Sequence, residues 1–138
     1  MKTGMLILSL LSVTAGQAPQ EAPKVTAAML QGNWAVTSFN GQPVPAEAEA
    51  YLVFNGDKYE QWTGSNVDER GTTKIDVSKK PMAIDLIIVE GSDAGKTQLG
   101  VFELNGETLS ITLATPGDPA RPAAISQGEL QVVLTKSK

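Results

Sequence analysis

The sequence predicts an all-β fold: an antiparallel up-and-down barrel of about eight strands, closed last on first. Three observations carry that prediction. About eight short stretches alternate apolar and polar residues, the period of a strand with one buried face. Turn signals separate them at the roughly 8–12-residue spacing of antiparallel barrels and sandwiches. With 13 Gly and 8 Pro in 138 residues, the chain holds little that favours a long helix. Pairing neighbours in order and closing the ring leaves no exposed sheet edge.

Taken in order, residues 1–18 carry the pattern of an export signal. Lys2 is positive, Met5 to Val13 is a short apolar run, and Val13-Thr14-Ala15 is a small-residue cleavage site, with cleavage expected after Ala15 or Ala18. The run is far shorter than the ~20 residues that span a membrane. Residues 19–26, with Pro19 and Pro23, read as a disordered spacer, and 27–138 as one domain. Ala27 to Asn40 is the first strand region, with Trp34, Val36 and Ser38 on one face, closed by Asn40-Gly41. Pro45 to Tyr51 is the one good helix-forming stretch, about two turns long, since Pro fits a first turn and Ala and Glu have high propensity.

A run of hairpins follows. Tyr51 to Phe54 and Lys58 to Thr63 flank Asn55-Gly56-Asp57, and Gln98 to Leu104 and Thr108 to Leu113 flank Asn105-Gly106-Glu107. Between them, Gly71 to Val77 and Ala83 to Val89 alternate, the second with Ile84, Leu86 and Ile88 on one face. A Pro-rich loop from Thr115 to Ala123 surrounds Arg121. Leu130, Val132 and Leu134 form the last inward row, and Lys136 and Lys138 a solvated tail.

Composition excludes several classes of function. Net charge is −4; without Lys2, 10 of the 11 basic residues face 15 acidic ones, a net of −5. That balance argues against nucleic acid or anionic lipid as a steady partner, because both need a basic footprint. With no His there is no imidazole base and no His-ligated metal. With no Cys there is no disulfide, thiol nucleophile or lipoprotein anchor.

Few motifs suggest chemistry. Gly91-Ser92-Asp93-Ala94-Gly95-Lys96-Thr97 resembles a phosphate-binding loop but has three residues between its glycines where the motif needs four. The strand pattern after it offers no helix N-terminus for a phosphate, so a hairpin loop is the better reading. Asp68, Glu69, Asp76, Asp85 and Glu103 fall on outward or loop positions with no sign of converging as a catalytic pair. Arg121, held extended by Pro119 and Pro122, could close a barrel mouth over a carboxylate ligand. The favoured alternative is a structural lock, stacked on Trp34 or paired with a loop acid.

Two resemblances extend this reading. Gly32-Asn33-Trp34 resembles the Gly-x-Trp that opens lipocalin barrels, where the Trp plugs one end. Along the chain, Leu30-Gln31-Gly32-Asn33-Trp34, Gly41-Gln42-Pro43-Val44-Pro45, Phe54-Asn55-Gly56-Asp57-Lys58-Tyr59 and Lys80-Pro81-Met82-Ala83-Ile84-Asp85 come in order. Glu90-Gly91, Gly95-Lys96-Thr97, Gly100 to Leu109 and Arg121-Pro122 follow. In this order they resemble a small lipocalin-like domain of unknown function, abundant in exported planctomycete-type bacterial proteins. The resemblance covers about Ala28 to Lys136. It implies the barrel and export to the periplasm or beyond, and no established reaction.

The expected function is therefore a monomeric, non-enzymatic binding module for a small apolar or amphipathic ligand. The candidate interior and mouth residues are Trp34, Phe54, Tyr59, Leu86, Phe102, Ile111 and Arg121. No cofactor or metal is expected. The alternative is a filled barrel that binds an envelope protein or acts as an inhibitor. Short strands and the absence of long loops tilt the interior toward filled.

Overall fold

A computed structural model describes residues 24–137. The expected signal at 1–18 and the first part of the spacer lie outside the described residues. After a 3₁₀ turn at Ala27–Leu30, nine strands follow: β1 (Gly32–Phe39), β2 (Gln42–Pro43), β3 (Ala50–Asn55), β4 (Lys58–Thr63) and β5 (Asn66–Asp76), then β6 (Met82–Glu90), β7 (Thr97–Asn105), β8 (Thr108–Leu113) and β9 (Leu130–Lys136). Each pairs antiparallel with its neighbour, and β9 returns to pair with β1. The result is the expected closed eight-stranded up-and-down barrel. The short β2 is an extra strand, hairpinned onto the end of β1.

The turns follow from local chemistry. Asn55 pairs with Lys58 and Asn105 with Thr108, so the two-residue loops are Gly56-Asp57 and Gly106-Glu107. The glycine comes first with positive φ (66° and 61°), the arrangement of a type II′ turn. At Asn40-Gly41 both residues have positive φ (50° and 81°), as type I′ requires. The helix expected near 45–51 shrinks to a single 3₁₀ turn at Ala46–Ala48. Ala50 and Tyr51 belong instead to β3, paired with Thr63 and Trp62. Two helical turns cannot repay their own nucleation against a barrel edge that needs a partner.

Two β-bulges change which side chains face inward. The shift between Val36 and Ser38 pairs Phe39 with Val132, so Phe39 joins the inward row and Ser38 does not. In β5, Glu69 pairs with Gln61 and Val67 with Trp62, leaving Asp68 as the extra residue at the barrel rim. Outward strand positions such as Glu60, Arg70, Lys74 and Glu103 are charged, the opposite of the apolar band of a lipid-facing barrel. Among the described residues, no helix is long and apolar enough to cross a membrane.

The two ends of the barrel differ. At the end where β1 starts and β9 finishes, Leu30, Trp34, Phe54, Tyr59 and Phe102 are buried to 2% exposure or less. The Trp34 indole Nε1–H donates to Leu30 O at 2.8 Å, which closes the entry segment over the core. The Gln31 side chain donates to Gly56 O (3.1 Å) and accepts from Gly56 N (2.6 Å), tying that segment to the β3–β4 turn. Lys136 is not a solvated tail: its ammonium stands 4.7 Å from the Trp34 ring centroid and donates to Gln31 O. Trp34→Phe removes the indole donor and strands the Leu30 carbonyl. It is expected to cost about 2 kcal/mol in urea unfolding, from the unpaired acceptor and the smaller ring.

Candidate functional site

The interior opposite the plug is hollow. A cavity of about 330 Å³ opens at the other end of the barrel. Its walls are Val36, Leu52, Leu86, Ile111, Leu113, Val132 and Leu134, contributed by β1, β3, β6, β8 and β9. Phe39, Val44 and Ala50 ring the mouth. The cause lies in the distribution of side-chain volume: the inward aromatics Trp34, Phe54, Tyr59 and Phe102 crowd one end, and aliphatics line the other. An eight-stranded barrel is just wide enough for its own side chains or for one small ligand. This barrel is divided between the two.

The polar groups of the cavity sit toward its mouth. Gln61 and Thr63 are successive inward positions of β4, and Asp68 is the bulged residue opposite them. The Thr63 hydroxyl donates to Asp68 Oδ2 at 2.5 Å, which fixes the carboxylate at the rim. Tyr51 and Trp62, a cross-strand pair, flank the mouth from the outward register, where the Trp62 indole donates to Glu60 Oε1 at 2.9 Å.

Among the seven candidate residues, the structure places Leu86 and Ile111 in the cavity wall. It places Trp34, Phe54, Tyr59 and Phe102 among the packed core residues. Arg121 is not at the mouth. Its Nη1 meets Asp85 Oδ1 at 2.7 Å and Gly100 O at 2.9 Å on the outer wall. It is a lock, but on a strand acid, and the cation over Trp34 is Lys136. The reason is the connection 114–129, which folds back over the outside of the barrel. It covers outward Val101 and Thr112, each 1% exposed, and the Thr112 hydroxyl donates to Ile125 O. The Gly91–Thr97 segment is a turn between β6 and β7 with Lys96 paired to Asp93, as the hairpin reading expects.

Asp68 and Glu69, expected on outer or loop positions, are re-aimed by the bulge in β5. Glu69 shares the inward register of Gln61, and its Oε2 accepts the Tyr59 hydroxyl at 2.8 Å. Burial pushes the Glu69 carboxyl above the ordinary carboxylate range; the Tyr59 bond opposes this and the charge of Asp93 adds to it. Burial, followed by that same bond, pushes the Tyr59 phenol above its ordinary value. Two features could have revealed the arrangement: the break in alternation at Val67-Asp68-Glu69, and Gly71 opposite Tyr59. A Cβ at Gly71 would lie 2.7 Å from the Tyr59 ring, so only glycine makes room for it.

Compared with protein-family models, with curated proteins and with solved structures, the chain finds no match.

The Tyr59 phenol is protonated more tightly in the folded chain than in the unfolded one. Its contribution to stability is present below the unfolded tyrosine value of about 10 and is lost as pH rises past it, by up to about 1.4 kcal/mol per pH unit. The stability difference between wild type and Tyr59→Phe is therefore expected to be flat from about pH 7 to 9 and to shrink above about pH 10. Urea unfolding across that range measures it, and a constant difference would contradict the assignment.

Proposed function

We propose that this protein is an exported, lipocalin-like, non-enzymatic module that takes up one small apolar or amphipathic molecule in the open half of its barrel. The cavity carries the proposal: about 330 Å³, walled by aliphatic side chains and open at one end. Such volumes lie at the lower end of small-molecule sites, which pair apolar walls with a few placed polar groups. The Gly32-Asn33-Trp34 start, with Trp34 inside the plug, and the export pattern of residues 1–18 support the family and the address. A non-enzymatic role accords with a chain lacking His and Cys, whose half-buried Glu69 is engaged by Tyr59.

The plug and the cavity predict separable phenotypes. The neutral probe N-phenyl-1-naphthylamine is expected to bind 1:1 with enhanced fluorescence. Ile111→Trp, which fills the cavity from the β8 wall, is expected to weaken uptake at least about tenfold while the chain stays folded. Trp34→Phe is expected to lower stability with little effect on uptake. A folded Ile111→Trp variant that binds as well as wild type would place the probe elsewhere and refute the reading.

A further inference from the structure

The geometry points to a cationic amphiphile as the ligand class: an apolar chain carrying a protonated amine or a quaternary ammonium head. This inference rests on the binding role proposed above and adds the chemistry of the ligand. Polarity along the cavity runs one way, from aliphatic walls at depth to Gln61, Thr63 and Asp68 toward the mouth. A molecule entering chain first would leave its head at that rim, beside the carboxylate that Thr63 holds in place.

The rest of the open end matches that preference. Among the described residues, no Lys or Arg lines the cavity. Two basic side chains near this end are engaged by acids, Arg70 by Glu60 (2.8 Å) and Glu90 (3.2 Å) and Lys96 by Asp93 (3.4 Å), and Arg121 is held on the outer wall by Asp85 (2.7 Å). The connections there add Glu47, Glu49, Asp118 and Glu129, all exposed. The lysines gather at the plugged end, where Lys24, Lys58, Lys79, Lys80 and Lys136 lie on the entry segment, the β5–β6 turn and the strand ends. An approaching cation therefore meets an acidic mouth, and a carboxylate or sulfate meets repulsion with no guanidinium to receive it. This reverses the preference that an Arg at the mouth would have given.

Decyltrimethylammonium, decanoate and decanol share one chain length and differ only in the head. Each would be titrated, below its aggregation concentration, against N-phenyl-1-naphthylamine bound to the protein as purified from the cells that make it. The cation is expected to displace the probe at least about tenfold more tightly than decanoate at low salt. That advantage should shrink in Asp68→Asn, which keeps an acceptor for the Thr63 hydroxyl, and in about 0.5 M salt. Equal displacement by all three, or tighter binding of decanoate, would overturn the charge preference and leave the binding role standing. Saturable probe binding that none of the three displaces would also overturn it. Failure of the probe itself to bind would overturn the binding role.

Discussion

The whole structure depends on how the barrel is closed at one end. Trp34 is the joint: its strand pairs on one side with β3 and on the other with β9, the seam that turns a sheet into a ring. Its indole donates to Leu30 O, which draws the entry segment across the opening, and Lys136 of the last strand covers the ring. The first and last of the described segments thus meet on one side chain. A buried indole needs a partner for its N–H, and here that partner is the backbone that seals the barrel. In a chain without disulfides, this packing must do what covalent staples do elsewhere.

Concentrating the aromatic volume at that joint leaves the opposite half without enough side-chain volume to fill it. Plug and cavity are two consequences of one distribution. The plugged half holds the shape, so the open half can keep aliphatic walls and a fixed acceptor at its rim without collapsing. Basic charge follows the same axis: Lys24, Lys58, Lys79, Lys80 and Lys136 stand at the plugged end beside Asp57, Asp76, Glu103 and Glu107, while the mouth connections expose Glu47, Glu49, Asp118 and Glu129. The lock between Arg121 and Asp85 belongs to neither end. It holds the longest connection against the outer wall, which keeps that segment off the mouth.

Much of the fold was legible because strand alternation is a local property. Lys58–Thr63 and Thr108–Leu113 are the strands that alternation and Asn-Gly signals define, to the residue. What failed was wherever tertiary pairing altered the local phase. Alternation from Trp34 points Ser38 inward until a bulge hands that place to Phe39, and β5 begins at Asn66 rather than Gly71 because a bulge at Asp68 hides its first turn of pattern. The stretch Pro45 to Tyr51 has helical propensity, yet β4 claims its last residues. Arg121 could not be placed, since its partner is set by the path of a long loop. The half-hollow interior was within reach: hairpin order assigns every inward residue to an end, and doing so for Trp34, Phe54, Tyr59 and Phe102 collects them at one.

The most direct test of a plugged barrel with a guest in its open half is native mass spectrometry. The chain would be purified without detergent from the cells that make it. A single adduct of a few hundred daltons, removed by organic extraction and missing from Ile111→Trp isolated in the same way, is the expected result. A bare monomer mass under conditions in which the folded chain survives desolvation would contradict the account.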